Sequence, residues 1–349
     1  MIPSYRIDIF PRLFHFKKPA GTSRGVYTER RSWYVRMASE AVDWLCGCAG
    51  VWGECAPLPQ LSVDDLPDYE GVLRGICAEV ARTGQVDTER WREYPSMLFG
   101  LETALRHLER GTYALWDTPF SRGEEGICIN GLIWMGDHDA MYSQIREKLE
   151  AGFRCVKLKI GAIGFEEELD LLRFIRRHFP AREVELRVDA NGAFAPAEAL
   201  DKLKRLAELD LHSIEQPIRA GQWDEMAGLT SVSSLPVAFD EELIGHCSLE
   251  AKRRLLDALH PQYIVLKPSL HGGFSGCREW IEEAEKRNVG WWITSALESN
   301  VGLNAIAQWC ATWHTRMPQG LGTGMLFTDN VPMPLEIRKD CLWYVADGD

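Results

Sequence analysis

Cys155-Val-Lys157-Leu-Lys159-Ile160 and Val184-Glu-Leu-Arg187-Val-Asp189-Ala-Asn191 flank a helix-like segment, and both are short β-branched runs with charges at alternate positions. Alternate residues of a strand share a face. Lys157 and Lys159 therefore point one way, and Arg187, Asp189 and Asn191 do likewise. Burying charges on one face of otherwise apolar strands is costly without partners. Exposed edge strands also carry lysine, so the surrounding chain must decide between a charged cavity and a solvated edge.

Outward from this stretch the pattern repeats. Short apolar runs begin near Ile127, Cys155, Val184, Leu211, Pro236, Tyr263, Gly290 and Gln319, with amphipathic segments at 165–178, 196–209, 273–287 and 301–313 between them. Strand and helix alternating at this pitch predict βα units and a parallel sheet. Eight strands over residues 126–324 fit a TIM-type α/β barrel. A doubly wound open sheet would carry a Gly-rich dinucleotide turn after its first strand, and none occurs. Ahead of the repeat, residues 1–125 read as an α+β unit. It has strands at 4–18 and 32–40, the Gly-rich loop Pro19-Ala-Gly-Thr-Ser-Arg-Gly25, a third strand near Glu54, and helices near 64–83 and 95–112. The run Cys341-Leu-Trp-Tyr-Val345 predicts a last strand returning to that unit, so that residues 325–349 complete it.

The 349 residues carry 46% apolar and 26% charged side chains, the proportions of an ordinary globular protein. A formal net charge of −12 argues against nucleic-acid or membrane-surface partners, which need basic patches. No apolar run reaches membrane-spanning length, and the start of the chain lacks an apolar signal core. The ten cysteines show no paired metal spacing, Cys46-Gly-Cys48 being the one close pair. A reducing, cytoplasmic setting is the expectation.

The charged residues then acquire positions. Asp189 and Asn191 end the third strand, Glu215 the fourth, Asp240 the fifth and Lys267 the sixth, while Ser295, Glu298 and Ser299 follow the seventh. In a barrel the carboxyl ends of the strands ring one mouth, where active sites form. Asp189, Glu215 and Asp240 on consecutive strands would repel unless a cation joined them. Oxygen-only ligands favour a hard ion, Mg²⁺ or Mn²⁺. Lys159 and Lys267 flank this trio in strand order. Lys157 is expected to lower the pKa of Lys159 by like-charge repulsion and so tune it as a general base. The chemistry that suits this set is abstraction of a proton α to a carboxylate, through an enediolate, in a small anionic substrate. A Schiff-base aldolase acting through Lys267, or a scaffold that only binds a carboxylate, are rivals from other classes. Arg187, deeper on the Asp189 face, is expected beneath the site with the ligand carboxylates as its acceptors.

Lys157-Leu-Lys159, Asp189-Ala-Asn191, Glu215-Gln216-Pro217, Asp240-Glu241 and Lys267-Pro268 together resemble the enolase superfamily, in its muconate-lactonizing-enzyme-like group. The likeness extends over nearly the whole chain, including Gly53-Glu54-Cys-Ala-Pro57 and Phe99-Gly-Leu-Glu102-Thr-Ala104. It implies a modified, (β/α)7β-like TIM barrel with an α+β capping domain. Within that group the Gly-rich loop, the run to Asn191 and Ser295-Ala-Leu-Glu298-Ser299 are most similar to the o-succinylbenzoate synthase family. That similarity implies a Mg²⁺-dependent dehydration in menaquinone biosynthesis, with Lys159 as base and Lys267 as electrostatic partner. Asp189, Glu215 and Asp240 would then be metal ligands, and Glu241 would join Arg187 behind them. Lys157, Asn191, Ser295, Ser299 and Gly25 would contact substrate, with the loops near Gly21–Tyr27 and Glu54–Leu58 gripping the succinyl tail. N-succinylamino acid racemases share the lysine pair and are the nearest alternative. Dipeptide epimerases typically carry Asp-x-Asp where this chain has Gly320-Leu-Gly322-Thr-Gly324.

Overall fold

A computed structural model describes residues 5–22, 25–39 and 52–345. Cys46, Cys48 and residues 23–24 of the Gly-rich loop lie outside this range. Seven parallel strands form the central sheet: β5 (Gly131–Ile133), β6 (Cys155–Lys159), β7 (Glu185–Asp189), β8 (Ser213–Glu215), β9 (Val237–Phe239), β10 (Tyr263–Leu266) and β11 (Gly290–Ile293). They pair in sequence order from β5 to β11. The helices between them are α3 (His138–Glu150), α4 (Phe165–His178), α5 (Pro196–Ala207), α6 (Trp223–Val232), α7 (Leu249–Leu259) and α8 (Gly273–Glu285), and α9 (Asn300–Cys310) follows β11.

The alternation in the quoted stretch explains the layering. Val156, Leu158, Leu186 and Val188 share one buried cluster with Leu169, Leu172 and Ile175 of α4. Their sequence neighbours Lys157, Lys159 and Asp189 face the barrel interior and line a pocket. Farther down, Ala238, Val265 and Trp292 pack as a separate apolar plug, so the barrel is filled below and polar above. Helix ends follow local chemistry: Ser248 Oγ caps α7 by accepting from Ala251 N at 3.1 Å, and Pro196 opens α5.

The expected eighth strand is reduced to Gln319 and Gly320, which form isolated parallel bridges to Ile129 and Thr294. Gly320 N donates to Ile293 O at 2.8 Å and Asn130 N to Gln319 O at 3.0 Å, which closes the seam. A Cβ on Gly320 would stand 2.1 Å from Thr294 Oγ1, so glycine lets the backbones meet here. Glycines at 320, 322 and 324 disfavour a longer strand.

Beside the barrel, β1 (Tyr5–Thr22) and β2 (Gly25–Ser39) form a long antiparallel hairpin, and β3 (Trp52–Cys55) pairs with β2. Helices α1 (Tyr69–Thr83) and α2 (Pro95–Arg110) cover this sheet over a core that includes Val35, Met37, Leu73, Val80, Met97 and Leu101. A Cβ on Gly53 would lie 1.8 Å from Gly100 O, so β3 is pressed directly onto α2.

The chain end differs from expectation. Leu326 O accepts from Lys17 N at 2.8 Å and Thr328 N donates to His15 O at 2.9 Å, so this short segment does reach β1. The last strands, β12 (Leu335–Arg338) and β13 (Cys341–Tyr344), pair instead with β4 (Ile127–Cys128), in the order β12-β13-β4. Leu342 and Tyr344 bury into the barrel's own cluster, which is where their apolar faces find cover. Among the described residues, no helix is long and apolar enough to cross a membrane.

Candidate active site

The strand ends bring the expected residues to one mouth. Lys159, Asp189 and Glu215 are register partners across β6, β7 and β8. Asp240 and Lys267 follow directly after β9 and β10. Lys157, Lys159, Asp189, Asn191, Glu241, Lys267 and Ser295 line one pocket of about 100 Å³, with Tyr27, Leu58 and Leu61 forming its far wall. Glu215 and Asp240 are buried and do not line the pocket themselves, but pair with its lining residues Lys157 and Lys267.

Three buried carboxylates need counter-charge, and lysines supply it. Lys157 Nζ bridges Asp189 Oδ2, at 3.0 Å, and Glu215 Oε2. Lys159 Nζ lies 3.1 Å from Asp189 Oδ2 and donates to Asn191 Oδ1 at 2.7 Å. Lys267 Nζ pairs with Asp240 Oδ2. Burial opposes the Lys157 ammonium, yet Asp189 and Glu215 outweigh it and push its pKa up. Lys267 is raised in the same way, its burial penalty exceeded chiefly by Asp240. Burial would raise Asp189, but Lys157 and Lys159 hold it below the usual carboxylate range. Glu215 goes the other way, pushed up by burial and by neighbouring Asp189.

The donor set suits a divalent cation in part. Glu215 Oε1 and Asp240 Oδ1 are buried without a hydrogen-bond partner, and such oxygens are ordinarily satisfied. All three acids offer hard oxygen. As they stand, however, no three His, Cys, Asp or Glu side chains among the described residues are grouped to hold a metal ion. The ammonium groups of Lys157 and Lys267 take oxygens that a cation would need.

Several expectations are corrected. Lys157 does not stand beside Lys159 as an unpaired charge, since Asp189 and Glu215 both pair with it. Arg187 lies beneath the site, 1% exposed, but its partners are Glu185 Oε1 at 2.7 Å, Pro318 O at 3.0 Å and the face of Trp292 at 4.4 Å. They are not the three acids, because Glu185 sits two residues back on the same face and is closer to the guanidinium. Ser299 does not line the pocket. As N-cap of α9 it turns its hydroxyl to Glu54 Oε2 at 2.6 Å. The Gly25 expectation falls at the hairpin tip, where Gly25 pairs with Thr22, outside the residues whose surroundings are described; Tyr27, two residues on, lines the pocket.

Asn191 and Ser295 do line the pocket. Asn191 lies in the left-handed region, with φ of 44°, and links Lys159 to Glu241 through Nδ2 to Oε1 at 3.1 Å. Ser295 Oγ lies 2.5 Å from Thr323 Oγ1 in the pocket wall. His271 is buried behind Lys267. Its Nδ1 accepts from Lys267 N at 3.0 Å, and burial drives its pKa down to about 3.

Asn130, Trp134, Trp292 and Thr323 also line the pocket and were not expected there. The strand-end rule, applied to the first and eighth strands as well, would have found Trp134, directly after β5, and Thr323, just beyond Gly320.

Comparison with known proteins bears on the family and the fold. Residues 140–343 match the family model described as enolase C-terminal domain-like. An o-succinylbenzoate synthase of Desulfotalea psychrophila is 46% identical over 92% of this chain and 94% of its own length. The crystal structure of MenC from that organism superposes with a TM-score of 0.81 at 40% identity, covering 97% of this chain and 99% of that one. An N-succinylamino acid racemase of Thermus thermophilus is 34% identical over 85% of this chain and 78% of its own. The family match over residues 140–343 and the 46% identical relative show that the chain belongs to the enolase superfamily.

Proposed function

We propose that the chain carries out the o-succinylbenzoate synthase reaction of menaquinone biosynthesis, loss of water from 2-succinyl-6-hydroxy-2,4-cyclohexadiene-1-carboxylate to give o-succinylbenzoate. The observation that carries this reading is that Lys159 and Lys267 stand on opposite flanks of the Asp189–Glu215–Asp240 trio and open into one pocket. The relative at 46% identity supports the choice of substrate.

Enolase-superfamily sites pair a lysine or histidine base with Mg²⁺. Here Asp189, Glu215 and Asp240 would hold Mg²⁺, or Mn²⁺, which when bound supplies fixed positive charge against the substrate carboxylate. Lys159 takes the proton α to that carboxylate, with Asn191 Oδ1 orienting its Nζ. The electron pair released expels the ring hydroxyl, and Lys159, now an ammonium, can return its proton so that water leaves. Lys267 faces the anionic intermediate from the far side. The apolar wall of Tyr27, Leu58, Leu61 and Trp134 shields the site from water. We also propose that residues 1–125, joined by 325–328, cap a catalytic barrel of residues 126–324. A cytoplasmic setting fits the eight described cysteines, all free.

The test is o-succinylbenzoate formation by the purified protein with Mg²⁺ and with EDTA, beside Lys159→Ala and Lys267→Ala. Turnover that needs Mg²⁺ and both lysines supports the proposal, and full turnover in EDTA overturns it. A second reading, racemisation of N-succinylamino acids, is favoured by the 34% identical relative and by the same two-sided lysines. Exchange of an N-succinylamino acid α-proton with deuterium, without dehydration of the cyclohexadiene, would select it.

A further inference from the structure

Glu54 is fully buried on β3, outside the pocket, and none of the chemistry above uses it. Its carboxylate is nonetheless saturated. Oε1 accepts from Ser32 Oγ at 2.8 Å and Ser299 N at 2.9 Å, and Oε2 from Ser299 Oγ at 2.6 Å and Gly302 N at 2.9 Å. Ser299 has a single hydroxyl proton, and it goes to Glu54. Tyr34 OH, 2.6 Å from Ser299 Oγ, must therefore be the donor in that contact. Three of the four donors to Glu54 belong to the start of α9, across the junction between the β1–β3 sheet and the barrel. A Cβ on Gly302 would lie 3.0 Å from Glu54 Oε2 and 2.7 Å from Glu298 Cβ, so glycine permits the approach.

What Glu54 holds is the end of a loop that walls the pocket. Thr294, Ser295, Ala296 and Leu297, between β11 and α9, all line it. Leu297 has φ of 64°, a left-handed conformation that costs a leucine energy and persists only where surroundings enforce it. The loop is fixed at its start by Thr294 N to Leu266 O at 2.9 Å and Thr294 Oγ1 to Gly320 O at 2.8 Å. At its end, Glu298 accepts from Ala296 N at 2.7 Å and from Ser269 Oγ, and Ser299 is tied to Glu54. The backbone of Glu54 is itself clamped, since Gly53 and Gly100 bring β3 and α2 into direct contact.

We infer that Glu54 is a positioning residue for the reaction: from the β1–β3 sheet it sets the strained Thr294–Leu297 wall against which the substrate is seated. This rests on the function proposed above, and it makes the geometry of the pocket depend on docking of the cap.

The experiment compares wild type, Glu54→Gln and Ser299→Ala in steady-state dehydration with Mg²⁺. Hydrogen exchange is followed in parallel at the amides of residues 294–302. The glutamine keeps size but presents an amide N–H₂ to donors, so Glu54→Gln should lose about 10- to 100-fold in kcat/KM. Exchange should quicken at 294–302 and stay unchanged at 155–160. Ser299→Ala should show the same pattern more weakly, and the double variant should lose less than the product of the two single losses. A folded Glu54→Gln enzyme with wild-type kcat and KM overturns the inference, as does faster exchange spread evenly over the chain. Should Glu54→Gln fail to fold, Ser299→Ala decides by the same two readouts. Absence of dehydration in the wild type would count against the proposed function, whereas the exchange pattern would still judge the role of Glu54 in holding the wall.

Discussion

Lys157 and Lys159 are two positions apart on one strand and have different partners. Lys157, at the level of Arg187, reaches both Asp189 and Glu215, whereas Lys159, level with Asp189, reaches Asp189 and Asn191. Their removal should therefore differ in kind. Lys159→Ala should cut α-proton removal by about 10³-fold or more, read as deuterium exchange at the substrate α-carbon, because it deletes the base. Lys157→Met should instead leave two adjacent buried carboxylates without their bridge. Breaking such a pair costs about 3 kcal/mol or more, which urea denaturation in EDTA would measure. Mg²⁺ should restore part of that loss by resupplying the missing charge. Equal stability of Lys157→Met and wild type in EDTA would rule out the bridging role.

Helices α2 and α8 meet through a half-buried acid. Glu102 on α2 accepts from Phe274 N at 2.6 Å and Ser275 N at 3.2 Å, both at the start of α8. Burial raises its pKa to about 7 despite those bonds. The folded protein thus binds a proton at Glu102 that the unfolded chain, with an ordinary glutamate value of 4.5, has already released. Stability should fall as pH rises from about 4.5 to about 7 and then level off, by on the order of 3 kcal/mol from this residue. Glu102→Gln should flatten that segment of the stability–pH curve, and an unaltered slope would refute the assignment. The same contact constrains the facing turn. A Cβ on Gly273 would stand 2.1 Å from Glu102 Oε2, and Gly273 has φ of 70°. Gly273→Ala should lower Tm, as scanning calorimetry would report.

At the scale of the molecule, a net charge of −12 coexists with a pocket that gathers Lys157, Lys159 and Lys267. Asp189, Glu215 and Asp240 balance those lysines, so a cation held by the acids would supply the net positive charge at the mouth that an anionic substrate needs. A cation that binds the folded acids and not the unfolded chain stabilises by mass action, about 2.7 kcal/mol at one hundred times its Kd. Mg²⁺ should raise Tm in the wild type and much less in Asp240→Asn, which keeps shape but loses one anionic ligand. Equal thermal shifts in the two proteins would place the ion elsewhere.

Much of this was legible along the chain. The 25- to 29-residue pitch of apolar runs determined the barrel, because a parallel strand can recur only after a crossover helix. Alternation determined which side chains face inward, so Lys159, Asp189, Glu215, Asp240 and Lys267 could be placed at one mouth. Helix α2 was expected at 95–112 and spans Pro95–Arg110, stopped by Gly111 with φ of 68°. What sequence spacing could not carry was partnership across the fold. That Arg187 turns to Glu185 and Trp292, that Ser299 faces Glu54 rather than the pocket, and that β13 pairs with β4 are contacts between residues distant in the chain or choices among nearby acceptors. Periodicity sets the direction of a side chain, but the element packed opposite decides which group it meets.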